Sequence, residues 1–77
     1  EEGALVKIRD GLYYDGAALA DILERVRQWF TDHENLDVGA LKEILGLSRK
    51  YLIALLEYMD NERITVRVGD QRRYRGR

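Results

Sequence analysis

The 77-residue sequence contains no cysteine and no proline. The absence of cysteine excludes disulfide bonds, thiolate zinc sites and thiol catalysis, and nothing points to an oxidising compartment, so we expect a cytoplasmic protein. No apolar run approaches the roughly 18 residues that would span a bilayer, and no basic and apolar leader opens the chain. We therefore expect a soluble protein with no membrane partner. A chain of this length forms one small domain with little room for an enclosed active site.

Charge is nearly balanced overall but is unevenly distributed. The 13 basic and 14 acidic side chains leave a formal net charge of −1. Residues 1–47 carry five basic and ten acidic residues, whereas residues 48–77 carry eight basic and four acidic ones. Binding of a polyanion depends on the local field and not on the net charge, so the C-terminal 30 residues are the candidate binding region.

The N-terminal half predicts a hairpin and a helix. Residues 1–14 contain two short β-favouring runs around Arg9-Asp10-Gly11, which predicts strands that belong either to this domain or to the end of a preceding one. Residues 15–34 predict a first helix, because apolar residues recur at spacings of three and four and Asp15 can cap the N-terminus. We expect His33 to be structural or merely exposed, since no cysteine or second histidine could complete a metal site with it.

Residues 37–61 predict a helix-turn-helix. Asp37 caps a second helix that Gly46 ends, and Ser48 is placed to cap a third helix. The apolar face of the third helix consists of Leu52, Leu55, Leu56 and Met59. The opposite face, which we expect to be exposed, consists of Lys50, Ile53, Ala54 and Glu57. Tyr51 and Tyr58 flank the apolar face and are interpreted as packing residues.

Residues 63–75 predict a C-terminal β-hairpin. Ile64, Val66 and Val68 alternate with polar residues, which is typical of a half-buried strand, and Gly69-Asp70 is a two-residue hairpin turn. Three helices followed by a hairpin constitute a winged helix. The sequence therefore predicts an α+β fold over 1–77, with a three-helix core and a C-terminal wing.

The residues favour binding over catalysis. Ser48 has no histidine near it in sequence to act as a base, and no glycine-rich phosphate loop is present, so we expect neither an enzyme nor a bound cofactor. Arg49 and Lys50 lie in the first turn of the third helix, where free N–H groups and the helix dipole attract anions. Arg67, Arg72 and Arg73 flank the wing turn and could bind phosphates or a guanine edge. Alternatively, they only protect an exposed strand edge from aggregation.

Three segments carry a family resemblance. They are Ser-Arg-Lys-Tyr at 48–51, Leu-Leu-Glu-Tyr at 55–58, and Thr-x-Arg-x-Gly-Asp-x-Arg at 65–72. Over 37–75 the sequence resembles the last winged-helix domain of the selenocysteine-specific translation elongation factor family, SelB, with a looser similarity upstream.

The resemblance implies that the chain recognises the SECIS hairpin in mRNA, so that a UGA codon is read as selenocysteine. It places the RNA contacts at the start of the third helix and in the wing: Leu47, Ser48, Arg49, Lys50, Arg67, Val68, Gly69, Asp70, Gln71, Arg72 and Arg73. GTP, selenocysteyl-tRNA and the ribosome would be partners of the full-length protein through other domains. A single hairpin ligand suggests a monomer.

Two alternatives remain open on the sequence. A winged helix can bind double-stranded DNA with its third helix in the major groove, although Glu57 on the exposed face is unfavourable there. It can also serve as a protein–protein spacer, with the acidic first 47 residues facing a basic partner. The fold alone does not discriminate among these functions.

Overall fold

The computed structural model describes residues 4–75. Residues 1–3 and 76–77 of the predicted domain lie outside this range. The elements in chain order are β1 (Leu5–Arg9), β2 (Leu12–Asp15), α1 (Gly16–Asp32), α2 (Val38–Leu45), α3 (Arg49–Asn61), β3 (Thr65–Val68) and β4 (Gln71–Tyr74). The predicted α+β winged helix is confirmed, with three helices followed by an antiparallel wing. No helix within 4–75 has the length and hydropathy needed to cross a membrane.

Local side chains define the helix ends. The Asp15 carboxylate accepts hydrogen bonds from the N–H groups of Ala17 and Ala18, and the Asp37 carboxylate accepts one of 2.8 Å from Ala40. Gly46 ends α2 in the left-handed conformation, with φ of 72°. Ser48 occupies the N-cap position of α3, but its side chain makes no capping hydrogen bond there. The predicted role of this hydroxyl as a cap is therefore wrong, although the helix begins after it as expected.

His33 lies one residue beyond α1. Its ring stacks on Trp29 with the centroids 3.6 Å apart, and its Nδ1 atom lies 2.9 Å from the Trp29 carbonyl oxygen. These contacts are structural in kind, since they join the end of the helix to its own last turn.

α3 packs into two hydrophobic clusters. One cluster, between the three helices, contains Val26, Leu36, Leu41, Leu52, Leu56 and Met59. The other joins α3 to α1 and to the N-terminal hairpin, and contains Ile8, Leu19, Ile22, Ala54 and Leu55. The expectation that Ala54 is exposed is wrong, because the hairpin covers that side of α3 and leaves the residue 1% exposed. Burial of each larger side chain favours folding by about 1.5–3 kcal/mol before ordering entropy is subtracted.

The wing is attached to the core along β4. The backbones of Arg72 and Leu36 exchange two hydrogen bonds of 2.8 and 2.9 Å. In the register of the hairpin, Arg67 faces Arg72 and Thr65 faces Tyr74, so these four side chains share one face.

The buried face of β3 differs from the prediction. Thr65 is 1% exposed, whereas Val66 and Val68 are 38% and 52% exposed. Ile64 is partly buried as expected, but it lies in the turn that precedes the strand and does not set the strand's alternation. The hydroxyl of Thr65 donates a hydrogen bond of 2.7 Å to the Asp60 carboxylate. Because Thr65 faces the end of α3, the opposite face of β3, which carries Val66 and Val68, is exposed to solvent.

Arg63 adopts a left-handed conformation, with φ of 62°, after the end of α3. The N–H of Ile64 donates to the carbonyl of Met59, and the N–H of Arg63 donates to that of Asp60, which is the Schellman arrangement. Glycine is the residue usually found at this position, because a Cβ atom makes the conformation unfavourable.

Replacement of Arg63 with glycine is therefore expected to raise the free energy of unfolding by about 0.5–1 kcal/mol, measured by urea denaturation. Arg63→Ala keeps the Cβ atom and serves as the control, with no such gain. A glycine variant that is no more stable than the alanine variant would contradict this account of the turn.

Candidate nucleic-acid interface

An open groove of about 570 Å³ lies between α3 and the wing. Arg49, Ile53 and Glu57, spaced by four residues along α3, line one side. Arg67, Asp70 and Gln71 line the other, and the first residues of α2 contribute as well. The groove therefore combines cations with carboxylates, and its width is set by the position of the wing relative to α3.

The first turn of α3 presents two exposed cations, Arg49 and Lys50. The first N–H groups of a helix generally lack partners within the helix, and the helix dipole is positive there, so such a turn is suited to a phosphate. Ser48 is exposed beside them, whereas Leu47 is partly buried and packs against both hydrophobic clusters. Of the four predicted contacts here, three face solvent and Leu47 mainly supports the turn.

Tyr51 and Tyr58 differ in their surroundings. Tyr58 packs against both clusters, and burial, followed by the nearby Glu62, raises the pKa of its phenol. Tyr51 is 38% exposed, with Lys50 Nζ 5.8 Å from its ring centroid. It also lies close to Tyr14, whose pKa is raised mainly by burial and further by Tyr51. The interpretation as a packing residue therefore suits Tyr58 better than Tyr51.

The tip of the wing is a tight turn over Val68-Gly69-Asp70-Gln71. Gly69 has φ of 63°, and its carbonyl accepts a hydrogen bond of 3.0 Å from Arg67 Nε. This bond holds the Arg67 side chain along the turn that lines the groove. Arg73 is exposed on the opposite face of the hairpin, with its Nη2 atom 3.7 Å from a Glu34 carboxylate oxygen.

Arg72 is buried, whereas the sequence predicts an exposed cation at this position. The residue is 7% exposed, and its Nε and Nη2 atoms donate to Asp60 Oδ2 at 3.1 and 2.9 Å. Asp60 also accepts the Thr65 hydrogen bond, so one carboxylate at the end of α3 joins both strands of the wing. The Nε and Nη2 atoms of Arg72 are thus occupied by Asp60, which holds the wing against α3. Arg72 also lines the groove, and its contact with a phosphate stays a prediction.

Arg9 is a residue that the sequence patterns did not indicate. It extends from the N-terminal hairpin to Glu57 on the groove side of α3, with Arg9 Nη2 and Glu57 Oε1 2.7 Å apart. The two residues are 48 positions apart, so no local pattern could have indicated the contact.

Three comparisons with known proteins agree with this architecture. A family model described as "Elongation factor SelB, winged helix" matches residues 28–74. A selenocysteine-specific elongation factor from Desulfomicrobium baculatum is 39% identical over all 77 residues, and the chain spans 12% of the length of that protein.

A solved structure is also similar. It is the mRNA-binding domain of elongation factor SelB from E. coli in complex with SECIS RNA, with a TM-score of 0.86 and 25% identity. The similarity covers 95% of this chain and 60% of the E. coli chain. Because the family model spans more than half of the sequence and the relatives agree with it, the chain belongs to the winged-helix family of elongation factor SelB.

Proposed function

We propose that this domain binds a SECIS hairpin in mRNA, with the hairpin loop at the groove between α3 and the wing. The observation that carries the proposal is the similarity, over 95% of the chain, to a SelB domain solved with SECIS RNA. Arg49 and Arg67 are exposed cations on the two sides of the groove, and the exposed Lys50 is next to Arg49 in the first turn of α3. These cations support the same ligand class.

An RNA loop offers more for sequence-specific recognition than a regular RNA stem does. An A-form stem hides its base edges in a deep, narrow groove, so proteins usually read unpaired loop bases and hold the flanking phosphates. In this proposal Arg49 and Lys50 hold loop phosphates at the start of α3. Gly69 lets the wing backbone approach an extruded base closely, next to the Val68 and Asp70 side chains.

In the full-length protein, this binding would direct selenocysteine to UGA codons. Binding of GTP, selenocysteyl-tRNA and the ribosome would belong to the protein as a whole, and the domain described here would act as its mRNA-binding module. The domain would need no cofactor for this task, since charge, hydrogen bonding and shape are sufficient for RNA recognition.

Titration against three kinds of ligand tests the proposal. The ligands are SECIS hairpins from E. coli and D. baculatum, the same hairpins with replaced loop bases, and a DNA duplex of equal length. We expect tight binding to an intact hairpin alone, with affinity that falls steeply as salt rises because phosphate contacts release counterions.

The other results separate the alternatives. Equal, salt-sensitive binding to all three kinds of ligand would contradict loop recognition and leave a general basic surface. Preference for the duplex would favour a DNA-binding winged helix. No binding to any ligand would favour a protein–protein spacer.

A further inference from the structure

The ion pair between Arg9 and Glu57 connects the N-terminal hairpin to the groove. Its atoms are 2.7 Å apart, and the two side chains remain 45% and 51% exposed. Exposed ion pairs of this kind add little to stability, because water already solvates both charges. We therefore expect this ion pair to affect the electrostatic potential of the groove more than the stability of the fold.

The backbone of the hairpin directs Arg9 toward α3. The register of β1 and β2 shifts between Lys7 and Arg9, and Arg9 pairs with Leu12. Such irregularities re-aim side chains that a regular strand would place on one face. Lys7 pairs with Asp10 of the same hairpin, whereas Arg9 reaches Glu57.

Glu57 lies in the groove at which we propose that the RNA binds. It lines the groove on the same stripe of α3 as Arg49, opposite Arg67. An unpaired carboxylate at this position would repel the phosphates that the two arginines attract, and the repulsion would extend over about 10 Å at moderate salt.

We infer that Arg9 is a positioning residue for RNA binding: it neutralises Glu57 and holds its carboxylate, so that a phosphate backbone can enter the groove. The inference rests on the proposed function and adds a residue outside the 28–74 region that the family model matches. Arg9 acts through Glu57 and does not itself contact the RNA.

A double-mutant cycle with Arg9→Gln and Glu57→Gln tests this role. The probe is the SECIS hairpin that wild type binds more tightly, titrated at low and moderate salt. We expect Arg9→Gln to weaken binding about three- to tenfold when Glu57 is present, because it frees the Glu57 carboxylate to turn toward the phosphates. Loss of the positive charge alone would weaken binding equally in both backgrounds, so a difference between backgrounds measures the hold of Arg9 on Glu57. In the Glu57→Gln background the same change should have an effect of less than about twofold.

The matched control is Arg27→Gln. Arg27 is an exposed cation on α1 that pairs with Glu24 and does not line the groove, so its replacement should leave affinity nearly unchanged. Thermal unfolding of every variant checks that each is folded at the temperature of the titration.

The outcomes distinguish the inference from the proposed function. An equal loss in both backgrounds would show that Arg9 acts without Glu57, and no loss in either would remove its role, so each would overturn the inference while hairpin binding stands. If wild type binds no hairpin, the proposed function fails first and the inference fails with it.

Discussion

Replacement of Asp60 with alanine is expected to lower the free energy of unfolding by about 2–4 kcal/mol, because it leaves the buried Arg72 guanidinium without its counterion. Asp60 accepts hydrogen bonds from Arg72 and from Thr65, and the two charged side chains are 23% and 9% exposed. A domain of this size has roughly 4–12 kcal/mol of stability in total, so the variant should unfold at clearly lower urea concentrations.

A paired replacement separates loss of the charge pair from loss of packing. Asp60→Leu combined with Arg72→Met removes both charges and keeps apolar volume, and should recover much of the stability that Asp60→Ala loses. Urea denaturation followed by circular dichroism gives the free energy of unfolding of wild type, of Asp60→Ala and of the double variant. An alanine variant as stable as wild type would show that the wing does not depend on this network.

Replacement of Arg49 and Lys50 together with alanine is expected to give the largest loss of RNA affinity. Each charge-assisted hydrogen bond to RNA contributes about 1–3 kcal/mol, so the double variant should bind a SECIS hairpin at least tenfold more weakly. The salt dependence should also become shallower, by about one unit of slope for each phosphate that the variant no longer neutralises.

The matched control is the removal of two exposed cations from α1, Arg25→Ala with Arg27→Ala. Both pair with acidic residues on their own helix, so their replacement changes the net charge by the same amount away from the groove. Equal losses of affinity in the two double variants would mean that net charge governs binding and that the start of α3 has no special role.

Arg72 is buried against Asp60, so its replacement affects the wing as well as the groove. An Arg72→Ala variant should lose RNA affinity mainly through displacement of the wing, and its stability should fall as well. By contrast, Arg49 and Lys50 are exposed and lie at a helix start, so their truncation should affect binding and leave stability nearly unchanged.

Local features were predictable from the sequence because neighbouring residues determine them. Asp15 and Asp37 cap their helices through N–H groups two or three positions away, and Gly46 supplies a left-handed residue at the end of α2. The Gly69-Asp70 turn depends on the conformation of two adjacent residues. The periodicity of apolar residues then sufficed to predict three helices and a wing.

Only the tertiary structure decided which faces of these elements are buried and which are exposed. Ala54 is buried because the hairpin packs on it, Thr65 is buried because Asp60 lies opposite, and Arg72 is withdrawn from solvent by the same carboxylate. In each case the partner is distant in sequence or lies on another element, so its position depends on the packing of the whole domain. The sequence by itself thus determined the elements and their order, while the packing between elements determined which cations remain exposed.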